Sequence, residues 1–218
     1  MAILDPIKPT VLAARIIPNV HPTLASKLKL EPRHKSLALL TCDIDDSLYV
    51  ALDEATKMAE VDVVYAHSFY AGSAHASGPL SGEIIGILGA PDPAEARSGL
   101  TAAIAYAEEQ AHFTSANEDD SLAFFAHTIS RTGSYLSKEA GVEVGTPLAY
   151  LIAPPLEASY ALDAAVKAAE VEMQVWFEPP SETNFSGGLL SGSQSACRAA
   201  CMAFADAVLE VAGNPVKF

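Results

Sequence analysis

The side chains best suited to ligate a metal or attack a substrate are few and scattered. Three cysteines, Cys42, Cys197 and Cys201, make an odd number without the close spacing of a disulfide framework or of paired zinc ligands. Cys197 and Cys201 stand four apart in a helical pattern, where the expectation is two small apolar side chains on one buried face. Of the six histidines, His21, His34, His67, His75, His112 and His127, no two form a ligand pair at helical spacing. His67 and His75 share the long loop 66–80 (AHSFYAGSAHASGPL), and two readings stay open for them: solvated loop side chains, or a metal-binding or pH-responsive set brought together by symmetry. No Gly-x-Gly-x-x-Gly follows a strand, no Gly-Lys-Ser/Thr loop cradles a phosphate, and neither a hydrolase elbow nor a zinc-protease helix is present. An ordinary enzyme is therefore poorly supported.

Charge narrows the partners. The 218 residues carry 13 Lys and Arg against 27 Asp and Glu, a formal charge of −14, so neither nucleic acid nor an anionic membrane surface is an expected partner. With 50% apolar and 18% charged residues the chain reads as a packed globular protein of one large or two small domains. The opening residues Met1–Pro9 hold Asp5 and Pro6 where an export signal would be basic and then apolar, and no apolar run reaches about 18 residues. A soluble protein of the reducing cytosol is expected.

The elements that must position these side chains are laid out twice. Residues 51–61 (ALDEATKMAEV) match residues 161–171 (ALDAAVKAAEV) at eight of eleven positions, at a constant offset of 110. Each copy then changes from helical spacing to the alternation of a half-buried strand, meets an aromatic (Tyr65 or Trp176) and enters a loop of small residues. Beyond the loop, residues 81–85 (SGEII) resemble 186–190 (SGGLL) at an offset of 105, which predicts a loop five residues longer in the first copy. Helical patterns follow at 93–109 and 194–212, the first opened by Asp92 as N-cap and Pro93 in the first turn. Apolar runs at 36–41 and 147–153 precede the repeated helices, and segments 11–20 and 124–132 supply a further strand each, followed by short helices at 23–28 and 133–140. The predicted class is α+β, with helices packed on mainly antiparallel sheets. The halves are expected at 1–110 and 111–218, joined through the polar stretch 114–121.

The helix-strand unit Ala-x-Lys-x-Ala-Glu-Val, present twice, resembles the signature of bacterial microcompartment shell proteins. Nearly the whole chain is similar to the ethanolamine-utilisation type, through ALDEATKMAEVDVVYAHSFYAGSAH, GAPDPAEARSGL, SRTGSYLS, APPLEASYALDAA, PPSETNFS, GSQSACRAAC and FADAVLE, in that order. The resemblance implies two tandem, circularly permuted shell domains and a homotrimer that imitates a hexagonal tile. It further implies a structural role in the shell of a cytoplasmic microcompartment, without catalysis or cofactor, packed edge to edge with other shell proteins. Lys57 and Lys167 match the lysine that such tiles carry at their edge.

The same resemblance locates two kinds of opening. The first-copy loop, with His67, Phe69, Tyr70, Gly72 and His75, is expected to meet itself at the threefold axis, where its aromatics gate a central pore. Small pores within each subunit are expected to be lined by Asp45, Asp46, Glu83, Phe113 and Thr183, with Glu157 a weaker member. That set suits a protonated amino alcohol such as ethanolamine. Carboxylates hold the ammonium, Thr183 bonds the hydroxyl, and Phe113 offers a ring face. Asp45 and Asp46 also admit a simpler reading, as caps of the helix that follows. The competing function is a ring-shaped sensor of a small ligand, ethanolamine or a cobalamin-type cofactor, that never tiles; an enzyme using the acidic cluster stands third.

Overall fold

A computed structural model describes residues 2–68, 84–119, 121–181 and 184–216. Two compact units emerge: Lys8–Ala111 with Gly133–Leu136, and Met1–Ile7, His112–Thr132 and Ser137–Phe218. The chain opens on a two-residue strand, β1 (Pro6–Ile7), that belongs to the second of these.

The first unit runs β2 (Val11–Ile17), α1 (Pro22–Lys27), β3 (Ser36–Cys42), α2 (Asp45–Met58), β4 (Asp62–Ser68), β5 (Ile84–Ala90) and α3 (Pro93–Glu109). Its sheet has the order β2-β3-β5-β4 with every neighbour antiparallel. Successive side chains of a strand point to opposite faces, and β3 shows the consequence. Ala38, Leu40 and Cys42 join a core with Leu48, Leu52 and Ala55 of α2 and Leu100 and Ala103 of α3. Leu37 and Leu39 join Ile87, Val20 and Leu28 on the other face. With both faces covered, β3 and β5 read as near-continuous apolar runs. Asp92 caps α3 as its sequence predicts, its carboxylate accepting the amides of Ala94 and Glu95 ahead of Pro93 in the first turn.

The second unit runs β6 (Phe113–Ser115), β7 (Ala123–Ile129), α4 (Ser134–Ala140, its first residues lying with the first unit), β8 (Leu148–Ala153), α5 (Pro155–Ala168), β9 (Val171–Phe177), β10 (Ser186–Gly192) and α6 (Gln194–Gly213). The sheet order is β1-β6-β7-β8-β10-β9. Ala158, Leu162 and Ala165 of α5 and Cys197, Cys201 and Phe204 of α6 pack on Ala149, Leu151 and Leu190. The two helical cysteines are thus buried core residues, and burial pushes the Cys201 thiol up to about 11. The pairing of β1 with β6 was not expected; strands of two and three residues are too short to show a period.

The strands β7-β8-β10-β9 repeat the order β2-β3-β5-β4, so the α+β class and the tandem arrangement hold. Even an irregularity is repeated. Val64 is skipped between Val63↔Leu88 and Tyr65↔Ile87, and Gln174 is skipped between Met173↔Leu190 and Val175↔Leu189. These bulges lie 110 apart, as the helix offset predicts. Their partners do not fit the expected 105: Ile87 corresponds to Leu189 and Leu88 to Leu190, an offset of 102. The SGEII and SGGLL matches mislead because pairing register is fixed by the bulge and by which face each side chain must bury, not by local likeness.

One interaction ties residues 133–136 into the first unit. The buried Asp53 carboxylate accepts the Gly133 amide at 2.7 Å and the Leu136 amide at 2.8 Å. Thr56 Oγ1 accepts the Ser134 amide at 3.0 Å and donates to the Asp53 carbonyl at 2.7 Å. A Cβ at Gly133 would stand 2.2 Å from Thr56 Oγ1 and 2.5 Å from the Asp53 carbonyl oxygen, so only glycine allows this approach. Asp53→Ala should therefore cost about 3 kcal/mol, two charge-assisted bonds lost with their donors left buried, and Gly133→Ala about 2 kcal/mol from overpacking. Both are read as a lowered urea midpoint at unchanged slope.

Candidate functional site

The acidic pair opens α2. The residue at the N-cap is Ile44, without a side-chain cap, so Asp45 and Asp46 stand in the first turn rather than capping it. Both are buried. Asp45 Oδ2 accepts from Ser68 Oγ at 2.8 Å, Ser68 Oγ accepts from the Tyr49 hydroxyl at 2.9 Å, and Asp45 Oδ1 accepts the Asp46 amide at 3.0 Å. Burial pushes the Asp45 carboxyl above the ordinary carboxylate range, against the hydrogen bonds from Ser68 and from the Asp46 amide that pull it down.

Phe113 opens β6 in the second unit and is buried. Its ring stacks on Phe125 at 5.1 Å and meets the edge of Phe185 at 6.0 Å, and Phe125 continues the contact to His127 and Tyr150. One ring face is therefore engaged by packing. Glu157 lies half-buried in the first turn of α5, at a position that the 110 offset relates to Ser47. Asp45 and Asp46 fall in the first unit, Phe113 and Glu157 in the second. Glu83 and Thr183 lie outside the described residues, as do Phe69, Tyr70, Gly72 and His75. His67 is described: it is exposed on β4, paired with Ile85, its ring 6.2 Å from that of Tyr65.

The repeated lysines differ. Lys57 is drawn in, 12% exposed, with Nζ 2.5 Å from Glu54, 3.6 Å from Asp53 and 6.0 Å from the Tyr106 ring centre. Lys167 is 72% exposed and reaches Asp163 at 2.5 Å. Among the described residues no group of three His, Cys, Asp or Glu side chains is placed to hold a metal, and no helix is long and apolar enough to cross a membrane.

Sequence reasoning missed Tyr49 and Ser68. Tyr49 follows Asp45 by four residues, one helical turn, which was signal enough to put both on one face. Ser68 carries no such mark, since only the packing of β4 beside α2 brings it to the carboxylate.

No protein-family model matches the chain. Over 214 residues it is 63% identical to the bacterial microcompartment shell protein EutL of Clostridium perfringens, covering 98% of this chain and 99% of that one. The crystal structure of the ethanolamine utilization protein EutL of Leptotrichia buccalis superposes with a TM-score of 0.96 at 60% identity, over the full length of both chains. A trimeric shell protein, PduB, shares the fold at 19% identity and a TM-score of 0.71, over 94% of this chain and 89% of that one. With the duplicated sheet order and the repeated bulge, these relationships establish that the chain belongs to the EutL family of bacterial microcompartment shell proteins, structural components of the ethanolamine-utilisation compartment and not enzymes.

Proposed function

We propose that three copies of this chain form a pseudo-hexagonal tile, each contributing two shell domains, nominally 1–110 and 111–218. The observation that carries this reading is the duplication: one chain holds two units of the same strand order with the same bulge, so three chains supply six like modules. The trimeric state of PduB, a protein of the same fold, supports it. The loop with Phe69, Tyr70, Gly72 and His75, rooted at His67, gates a central pore in this tile. Asp45, Asp46, Glu83, Phe113, Glu157 and Thr183 line small pores within the subunit that pass or weakly bind ethanolamine and related metabolites. Weak binding is required, because a passage must release what it admits.

Tiles meet other shell proteins edge to edge through the lysine of each repeated helix. Lys167, more exposed than Lys57, carries more of this contact. In electron micrographs of concentrated protein, sheets are expected for the native chain and their loss for Lys167→Asp, while light scattering still reports a trimer. A trimer that never tiles yet binds ethanolamine tightly would favour the sensor instead.

The acidic turn gives a second test. Because the folded state raises the Asp45 pKa, its ionised form costs stability; the cost is absent below the unfolded value of about 3.9 and complete above the folded value. Asp45→Asn is therefore expected to raise the thermal midpoint at pH 7, with the gain shrinking as pH falls toward the ordinary carboxylate range, and to weaken ethanolamine binding in calorimetry. Stability lowered at pH 7, with binding unchanged, would remove Asp45 from the pore.

A further inference from the structure

The two repeated helices are not covered alike. On α2, Asp46, Val50 and Asp53 are buried, and residues 133–136 lie against this helix through the Asp53 and Thr56 bonds and the Tyr49–Tyr135 ring contact. The 110 offset carries those three positions to Leu156, Tyr160 and Asp163 on α5, and these are 64%, 49% and, for the Asp163 side chain, 61% exposed. Val166, at the place of Thr56, is exposed beside them. Apolar side chains grouped on one helical face mark a surface built to be covered.

The strand registers identify what covers it. Ile17 pairs with Leu37 as Ile129 pairs with Leu148, and the amide bonds Val20 to Lys35 and Thr132 to Thr146 recur at the same place. The counterpart of 133–136 is thus His21–Leu24, 112 residues earlier. Leu24 is exposed where Leu136 is buried. Two differences belong together: Ser134 donates its amide to Thr56, whereas Pro22 has no amide hydrogen and Val166 has no acceptor. The polar pair inside the chain has an apolar pair as its counterpart, and the aspartate is common to both.

We propose that the α5 face formed by Leu156, Tyr160, Asp163 and Val166 is a chain-to-chain contact, and that its occupant is the segment His21–Leu24 of a second copy. This rests on the trimer of the preceding subsection and names the surface that closes it. The contact is heterologous, one face meeting a different one, as ring closure requires. His21 carries a side chain where Gly133 has none, so the second copy stands further from α5 at that point than residues 133–136 stand from α2.

The test uses the full chain with His21→Cys and Val166→Cys together, positions whose counterparts Gly133 and Thr56 nearly touch. The native cysteines are buried and do not compete. Mild oxidation is expected to link the double variant into dimers and trimers on a non-reducing gel, with no such trimer from either single variant. Leu156→Glu with Tyr160→Glu is expected to shift the light-scattering mass from trimer to monomer with the circular dichroism spectrum unchanged. If the native chain is a trimer, yet the cysteines fail to link and the glutamate variant stays trimeric, the assigned face is wrong and the tile survives. A native monomer overturns the tile itself.

Discussion

A carboxylate shut away from water persists only where donors meet it, because desolvation otherwise outweighs any charge it brings. Asp53 meets two, the amides of Gly133 and Leu136, and in doing so fixes a segment from the later half of the sequence within the earlier unit. The rest of the local arrangement follows from that bond. Thr56 completes it, Lys57 turns inward toward the same charge, and Gly133 has no side chain because none would fit. The matching helix in the other unit keeps the aspartate and the lysine but leaves them uncovered by its own chain. Two copies of one sequence pattern thereby acquire different surfaces.

The sheets show the opposite behaviour, in which duplication is preserved to the level of a single skipped residue. A bulge adds twist and fixes which side chains reach each face, so losing it from one copy would turn part of a strand inside out. The connections escape this constraint. Fifteen residues separate β4 from β5 and eight separate β9 from β10, and the longer connection is the one that the family resemblance assigns to the central pore. Variation has accumulated where backbone register does not forbid it.

The acidic turn of α2 is held against its own stability. Burial disfavours the charge on Asp45, and the hydrogen bonds from Ser68 and from backbone amides offset only part of that cost. Phe113 differs: its ring is stacked into an aromatic column, so any part it takes in a pore is shared with the packing of its sheet.

By itself the sequence determined the class, the tandem plan and most elements, because helical and alternating periods and the Asp92-Pro93 start are local signals that the backbone must obey. The bounds of α3 and the helical offset of 110 were legible for that reason. Strands of two or three residues have no period, and SGEII and SGGLL look alike whatever their register, so β1, β6 and the offset of 102 were not. The site divides the same way: Asp45 and Asp46 were legible as an acidic pair next to a helix, whereas their place inside its first turn, Ser68 beside them, the burial of Lys57 and the covering of one helix but not its twin by the same chain depend on contacts that no local pattern carries. Only tertiary structure decided those, since burial and hydrogen bonding depend on which surfaces meet.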